Sequence, residues 1–453
     1  MTRSWVARMR LPGALLVSLA VVAGGLALER GLGARQLAPG DVPPEVSGAW
    51  FCPHGGSERW QVWLVVANPA SEPAQVRVVT YGSERPVSQV ATIEPGTQRY
   101  VEVQAIEPAS GSAVEYFGGP VAAGMVMSRS SGKGEPLGRA AEPCLAESST
   151  RWYLPEGTTT RGFDQRVVVT NPFAQEAVVS LWLTDERETL KPGELQGIVL
   201  PARRSIAFDL GDFSLGKETL ATTVDVGLGK VAVGGVGISE DGIRAAVAVS
   251  APATTWVLPG ARDDAPSALT VLGTGRVEAP FRVRRQGMEG QVEVISEAGA
   301  LPGKATTQGV PAQGAGLVAQ AEGPEPFVAG RRLVAPGDLA SVSGVSEGAT
   351  GWVVLPTTSP VGGSATLIVE NPGDSLADVR ISLITETGPA EVPEIGRISL
   401  RPGGFRTVDL GAFVGTEPVS VVVRAETGSV VVGQASRDEG GYAVALGVVL
   451  EGA

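Results

Sequence analysis

The chain has 453 residues, a formal net charge of −12 and a single histidine, His54. Its acidic balance argues against a nucleic-acid partner, because phosphate binding needs a basic surface. One histidine leaves no room for a multi-histidine metal site. Glycine (61 residues) and proline (33 residues) are abundant, which is typical of short strands joined by turns.

The N-terminal segment predicts export. Residues 1–10 carry three arginines and no acidic residue, and residues 11–28 form an uncharged, mostly apolar run. That run is just long enough to cross a hydrocarbon core. We therefore expect a cytoplasmic stub (1–10), a transmembrane signal-anchor (11–28) and a stalk (29–48), with the body outside the cytoplasm as part of a single-pass membrane protein. The alternative is a signal peptide cleaved near residues 25–27, which gives a secreted protein.

Two markers recur along the rest of the chain at intervals of roughly 100 residues. The first marker is a tryptophan followed within four residues by a proline, at Trp50, Trp152, Trp256 and Trp352. The second marker is an asparagine before a proline, 18 or 19 residues after a tryptophan, at Asn68–Pro69, Asn171–Pro172 and Asn371–Pro372. These are the only three asparagines of the chain, which indicates an internal repeat.

Strand patterns lie between the markers. Apolar residues alternate with polar ones at 74–81, 177–184 and 377–385, the period of a half-buried strand. Apolar runs with an inner glycine, at 121–128 and 231–239 among others, predict a bulge or a close backbone approach. About seven or eight strands per 100 residues favour tandem immunoglobulin-like β-sandwiches arranged as a rod. A propeller with two four-stranded blades per unit is the alternative.

The sequence therefore predicts an all-β protein with four β-sandwich units after the transmembrane helix. Their expected bounds are 49–149, 150–253, 254–349 and 350–453. The third unit is diverged, because it lacks the Asn-Pro pair and its middle is loose.

The second unit resembles a family of exported actinobacterial proteins catalogued as a domain of unknown function. The residues that carry this resemblance are Trp152, Tyr153, Pro155, Gly157, Thr158, Thr159, Gly162, Phe163, Asp164, Asn171 and Pro172. The resemblance extends in part to the other units. It implies an envelope protein with an N-terminal membrane segment and implies no catalytic residues.

The two cysteines predict a structural disulfide. Cys52 lies in the opening strand of the first unit, and Cys144 lies just before the second unit begins. A sandwich that brings its first and last strands together would place them side by side, and an exported location favours oxidation. A reactive thiol pair is the alternative, although the Cys-x-x-Cys arrangement is missing.

No catalytic, cofactor-binding or metal-binding residue is predicted, and a structural or surface role is expected for His54. The first hypothesis is a non-enzymatic, membrane-anchored envelope protein that scaffolds or binds other envelope components. The second is an array of cell-wall carbohydrate-binding modules, in which strand tryptophans stack on sugar rings if they are exposed. Trp60, Trp63 and Trp182 are the candidates, and core packing is their alternative role. The third is a glycan hydrolase, which needs two paired carboxylates, and no such pair stands out.

Overall fold

The computed structural model describes residues 47–450 except 106, 131–135, 261–266, 311–315, 336–337, 391 and 439. The predicted cytoplasmic stub, the transmembrane anchor and all but the last two residues of the stalk lie outside the described residues. In the described part of the chain, no helix is long and apolar enough to span a membrane.

Strands dominate the described residues, which confirms the predicted all-β class. They fall into four consecutive segments. Segment 1 contains β1 (Ser47–Cys52), β2 (Trp60–Ala67), β3 (Ala74–Tyr81), β4 (Val87–Ile93), β5 (Gln98–Val103), β6 (Gly111–Phe117), β7 (Ala122–Ser130) and β8 (Pro136–Pro143). Segment 2 contains β9 (Arg151–Leu154), β10 (Asp164–Asn171), β11 (Ala177–Thr184), β12 (Thr189–Leu190), β13 (Ile198–Leu200), β14 (Arg204–Asp209), β15 (Ala221–Leu228), β16 (Ala232–Ser239) and β17 (Gly242–Val247).

The second half of the described chain repeats this order. Segment 3 contains β18 (Thr255–Leu258), β19 (Ser267–Gly273), β20 (Ala279–Gln286), β21 (Val292–Ala300), β22 (Ala305–Val310), β23 (Leu317–Ala321), β24 (Phe327–Ala335) and β25 (Asp338–Ser343). Segment 4 contains β26 (Gly351–Val354), β27 (Ser364–Glu370), β28 (Ala377–Ile384), β29 (Pro389–Ala390), β30 (Arg397–Leu400), β31 (Phe405–Asp409), the one-turn helix α1 (Gly411–Val414), β32 (Ser420–Thr427), β33 (Val431–Asp438), β34 (Gly441–Leu446) and β35 (Val448–Val449).

Each segment folds into two antiparallel sheets. We call them the peripheral sheet, with the order β1-β6-β3-β4 in segment 1, and the axial sheet, with the order β5-β2-β7-β8. The chain crosses between the two sheets at every connection except the hairpins β3–β4 and β7–β8, and the other three segments follow the same connectivity. A propeller blade would use four consecutive strands, so each segment has the connectivity of a β-sandwich instead.

The four segments close into a ring. The last strands of the four axial sheets lie around a common axis, where β8 contacts β17 and β34, and β25 contacts the same two strands. The cores are shared as well, since one cluster of buried apolar side chains contains Leu64 and Val76 of segment 1 and Ala245 of segment 2. The expected rod of independently packed units is therefore wrong, because the first and last segments are neighbours.

A backbone hydrogen bond repeats around the ring. At each junction, a backbone N–H near the start of an axial-sheet edge strand (β5, β14, β22 or β31) donates a hydrogen bond to the preceding segment. The acceptor is the carbonyl of the residue just after that segment's third strand. The four bonds are Ser205 to Gly82 (3.4 Å), Ala305 to Asp185 (2.9 Å), Phe405 to Gly287 (3.4 Å) and Gln98 to Thr385 (3.0 Å). The last of these joins segment 1 to segment 4, so the series closes on itself.

The inner glycines of the repeat are explained by the ring. Gly234 lies so close to Pro53 of the preceding segment that a Cβ would approach the Pro53 carbonyl oxygen to 2.6 Å. Gly330 lies against Pro155 in the same way, and Gly124 lies against Leu355 of segment 4. The predicted close backbone approach is therefore present, and its partner is the neighbouring segment.

The four marker tryptophans join the two sheets of each segment. All four are buried, and each indole N–H donates to a carbonyl at the start of an axial-sheet strand. The acceptors are Val121 for Trp50, Val231 for Trp152, Phe327 for Trp256 and Val430 for Trp352, at 2.7–2.8 Å.

The marker asparagines fasten the turns that follow axial-sheet strands. The side-chain amide of Asn68 donates to the carbonyls of Glu72 (2.8 Å) and Ile93 (3.0 Å), and its oxygen accepts from the N–H two residues further on. Asn171 and Asn371 make the corresponding contacts. Each asparagine thereby ties its turn to the edge of the peripheral sheet.

Segment 3 keeps this turn without an asparagine. Gly273 takes the place of Asn68, and its N–H donates to Lys304 at 2.9 Å, as Asn68 donates to Thr97. A Cβ on Gly273 would lie 2.0 Å from the carbonyl oxygen of Leu301, so no side chain fits there.

The predicted disulfide is confirmed. Cys52 and Cys144 are bonded, with Cα atoms 4.6 Å apart and a sequence separation of 92. At the equivalent place in segment 3, Gly344 packs against Leu258. Segment 1 replaces this apolar contact with a covalent bond.

Candidate functional site

The single histidine is sealed inside the ring. His54 is 0% exposed, its Nδ1 lies 2.6 Å from the Gly55 carbonyl oxygen, and its Nε2 lies 2.9 Å from the Ser112 hydroxyl. Burial lowers the pKa of His54 to about 4, although the Gly55 contact opposes this shift. The serine beside it is also fully buried, so this Ser–His pair is closed to a substrate from solvent.

Buried charges lie at the junctions between segments. Glu156 of segment 2 pairs with Arg244 of its own segment and with Arg332 of segment 3 at 3.1 Å. Arg139 of segment 1 pairs with Asp438 of segment 4. Because each pair bridges or borders a junction, these charges hold neighbouring segments in register.

A further acidic group is buried between segments 3 and 4. Burial raises the pKa of Glu370 to about 8, and the nearby charge of Arg331 opposes the shift. Both side chains are almost completely buried. In the described residues no group of three or more histidine, cysteine, aspartate or glutamate side chains is placed to hold a metal ion.

A cleft of about 300 Å³ opens between segments 2 and 3. We call it the junction cleft. Strands β9, β11 and β15 and the residues around β12 form one wall, and turns of segment 3 form the other. Its lining includes Arg151, Trp182, Lys191, Thr223, Gly273 and Thr274.

Trp182 stands in this cleft between two cations. The Lys191 ammonium lies 3.6 Å from the centroid of the indole, and the Arg151 guanidinium lies 5.4 Å from it. Arg151 is also held by Asp225, with its Nε 2.9 Å from a carboxylate oxygen. The cleft thus combines an aromatic side chain with Lys191 and with Arg151, whose charge Asp225 offsets, so the positive charge of Lys191 favours a negatively charged ligand.

The junction cleft lies where the repeat is least regular. Trp182 is the sixth residue of β11, and the sixth residues of β3, β20 and β28 are Val79, Arg284 and Ser382. On the opposite wall, Gly273 and Thr274 replace the Asn-Pro pair of the other segments. Two departures from the repeat therefore meet at one junction.

The two tryptophans predicted as glycan contacts lie elsewhere. Trp60 and Trp63 are half-buried on β2 and pack against the core of segment 1. Neither lines the junction cleft, the hollow beside Tyr81 or the hollow between Trp152, Trp256 and Trp352. A role for Trp60 and Trp63 in glycan binding stays a prediction.

Sequence reasoning identified Trp182 as a strand tryptophan but not its neighbours. Lys191 and Arg151 are separated from it in sequence, and Gly273 belongs to another segment. The absence of Asn-Pro in segment 3 was the one signal that marked this junction.

Comparison with known families gives one result. A family model described as a family of unknown function (DUF5719) matches residues 117–342 and 315–445. The chain belongs to this family. The DUF5719 model matches the chain twice, as expected when a chain repeats one fold. A search of curated proteins finds no match for this DUF5719 member.

Proposed function

We propose that this chain is an exported envelope protein that acts by binding other envelope components rather than by catalysis. The observation that carries the proposal is the disulfide between Cys52 and Cys144, because such bonds form and persist in oxidising compartments outside the cytoplasm. The apolar run at 11–28 supports the same location and supplies a membrane anchor. Burial of His54 supports a role in which histidine is not a general base.

A reporter fusion tests the location. Alkaline phosphatase, fused after residue 453, is active only outside the cytoplasm. We expect active reporter in the membrane fraction. We also expect both cysteines of the denatured chain to resist alkylation until a reductant is added; denaturation is needed because both side chains are buried in the folded chain. An inactive reporter together with two freely alkylated thiols contradicts export.

A second candidate function is carbohydrate binding, and the junction cleft favours it. Trp182 offers an apolar ring, and the threonine hydroxyls of the cleft offer hydrogen-bonding groups. Lys191 and Arg151 add positive charge. We infer that a glycan bound here is acidic, since a carboxylate on the sugar would be attracted to Lys191, whereas Asp225 already offsets the charge of Arg151.

Glycan binding can be measured with two polymers of opposite character, polygalacturonate and a neutral cello-oligosaccharide. We expect the purified chain to bind only the acidic polymer and Trp182→Ala to weaken binding about tenfold, which is about 1.4 kcal/mol. The matched control is Trp63→Ala, which removes another half-buried strand tryptophan and should leave binding unchanged. If only the control variant loses binding, the glycan site lies in segment 1 instead. Equal binding of both polymers contradicts the role of the cations.

A further inference from the structure

The outer edges of the four peripheral sheets differ from one another. The edge strand is β4 in segment 1 and β21 in segment 3, whereas segments 2 and 4 have short strand pieces there, β12 with β13 and β29 with β30. An exposed edge strand presents unpaired N–H and C=O groups that can pair with another chain, and proteins usually protect such edges.

Three of the four edges carry a recognisable protection. In segment 2 the edge is interrupted by a turn that contains Pro192, and in segment 4 it is interrupted around Pro393. In segment 3 the edge strand β21 carries Glu293 and Glu297, which pair with arginines of β20. Short strands, prolines and charges are the devices that prevent edge-to-edge pairing.

Within its length, the edge strand of segment 1 has none of these devices. Strand β4 runs without interruption from Val87 to Ile93, and its sequence, VSQVATI, contains no charge and no proline. Among the described strands, β3 is the only one that pairs with β4. Val87 is 58% exposed and Val90 is 73% exposed, so apolar side chains accompany the free backbone edge.

We propose that β4 is a self-association edge, which pairs antiparallel with β4 of a second copy of this chain. With the two-fold axis at Val90, Val90 faces its own counterpart, Ser88 faces Thr92 and Val87 faces Ile93. No like charges oppose each other in this register, and the new backbone hydrogen bonds join two four-stranded sheets into one. Because a two-fold pairing uses the same patch on both copies, the self-complementary neutral strand fits it.

The residues that flank β4 are compatible with a second copy as the occupant. Arg85 precedes the strand and Glu94 follows it. In the antiparallel register, Arg85 of each copy faces Pro95 of the other and Glu94 faces Pro86, so no like charges meet at either end of the new strand pair. Val90 is 73% exposed, and the second copy brings an identical apolar side chain to cover it.

Sedimentation velocity of the purified, oxidised full-length chain in detergent tests the proposal. We expect a concentration-dependent dimer in the parent chain and a monomer in Val90→Lys, which places two ammonium groups opposite each other. The matched control is Val294→Lys on the charged edge β21, where the valine is 48% exposed. It should dimerise like the parent, and thermal melting should show that both variants are folded.

Amide hydrogen exchange gives a second readout. The informative amides at 87–93 are those that point away from β3, because the others are already bonded to β3 in the monomer. Exchange of the outward amides should slow as the parent dimerises and should stay fast in Val90→Lys. A parent that remains monomeric at all concentrations overturns the proposal, as does a dimer that Val90→Lys leaves intact or that Val294→Lys disrupts equally. Slow exchange of the outward amides in a monomer also overturns it, because another part of the same chain would then cover the edge.

Discussion

The indole N–H of Trp50 donates a 2.8 Å hydrogen bond to the carbonyl oxygen of Val121, and this bond joins the peripheral and axial sheets of segment 1. Replacement by phenylalanine keeps an aromatic ring but removes the donor from a buried acceptor. We expect Trp50→Phe to lower the free energy of unfolding by about 1–3 kcal/mol. Urea denaturation of the two proteins measures the difference.

The matched control for this change is Trp60→Phe. Trp60 is half-buried and outside the marker series, so its replacement should change stability by less than about 0.5 kcal/mol. Equal losses in the two variants would mean that tryptophan size, and not the bond between sheets, determines the effect.

Close approach of neighbouring segments predicts a cost for any side chain at Gly234. A methyl group there would meet the carbonyl oxygen of Pro53, so we expect Gly234→Ala to destabilise the protein by about 1–3 kcal/mol. Gly309→Ala is the control, since no atom lies within 4 Å of a Cβ built at that strand position. A control that is destabilised as strongly as Gly234→Ala would contradict the explanation. Thermal melting of the two variants distinguishes these outcomes.

The repeat was readable because its markers make local contacts. Trp152 and Asn171 bond within their own segment, so each copy needs the same residue at the same place. Ring closure could not be predicted from the sequence. A glycine such as Gly234 indicates that another part of the backbone approaches it closely, but it does not show that this partner is Pro53 of another segment. The core of each segment needs the same pattern of apolar residues in a rod as in a ring.

The junction cleft shows the same limit. The sequence marked Trp182 as a strand tryptophan and segment 3 as diverged. That these two features meet depends on how segments 2 and 3 pack, and strand periodicity carries no information about packing between segments.

The contribution of the disulfide to the free energy of unfolding can be predicted. Its loop spans 92 residues, and chain-entropy arguments give up to about 4.7 kcal/mol for a loop of this size. Reduction should therefore shift the urea midpoint downward. The variant Cys52→Leu with Cys144→Ala introduces the residues that segment 2 has at the equivalent positions, Leu154 and Ala248, which belong to one apolar core cluster. Its stability should exceed that of the reduced parent by at most about 1–2 kcal/mol. A variant as stable as the oxidised parent would show that packing, not the covalent bond, holds β1.

Burial of His54 predicts a loss of stability in acid. Its pKa is about 4 in the folded chain and 6.5 in the reference state, so the unfolded chain binds more protons between these values. The contribution is fully present above about pH 6.5 and is lost as the pH falls through about 4, with an upper limit of about 3 kcal/mol. The variant His54→Gln should remove this dependence in denaturation curves recorded between pH 7 and pH 4. An unchanged pH slope would show that His54 is protonated within the folded chain.

Glu370 gives a control of opposite sign. Its pKa is raised to about 8, so its contribution is fully present below the unfolded value of about 4.5 and is lost as the pH rises through about 8. Glu370→Gln should therefore remove a loss of stability between about pH 4.5 and pH 8, a window that overlaps that of His54 and has the opposite slope.

Small-angle X-ray scattering of the disulfide-bonded body that begins at residue 47 tests ring closure most directly. A compact body of this length has a radius of gyration of about 22 Å, whereas four sandwiches in line give roughly 40 Å. We predict a value near the smaller figure. A value near the larger one would contradict the closed ring of four segments.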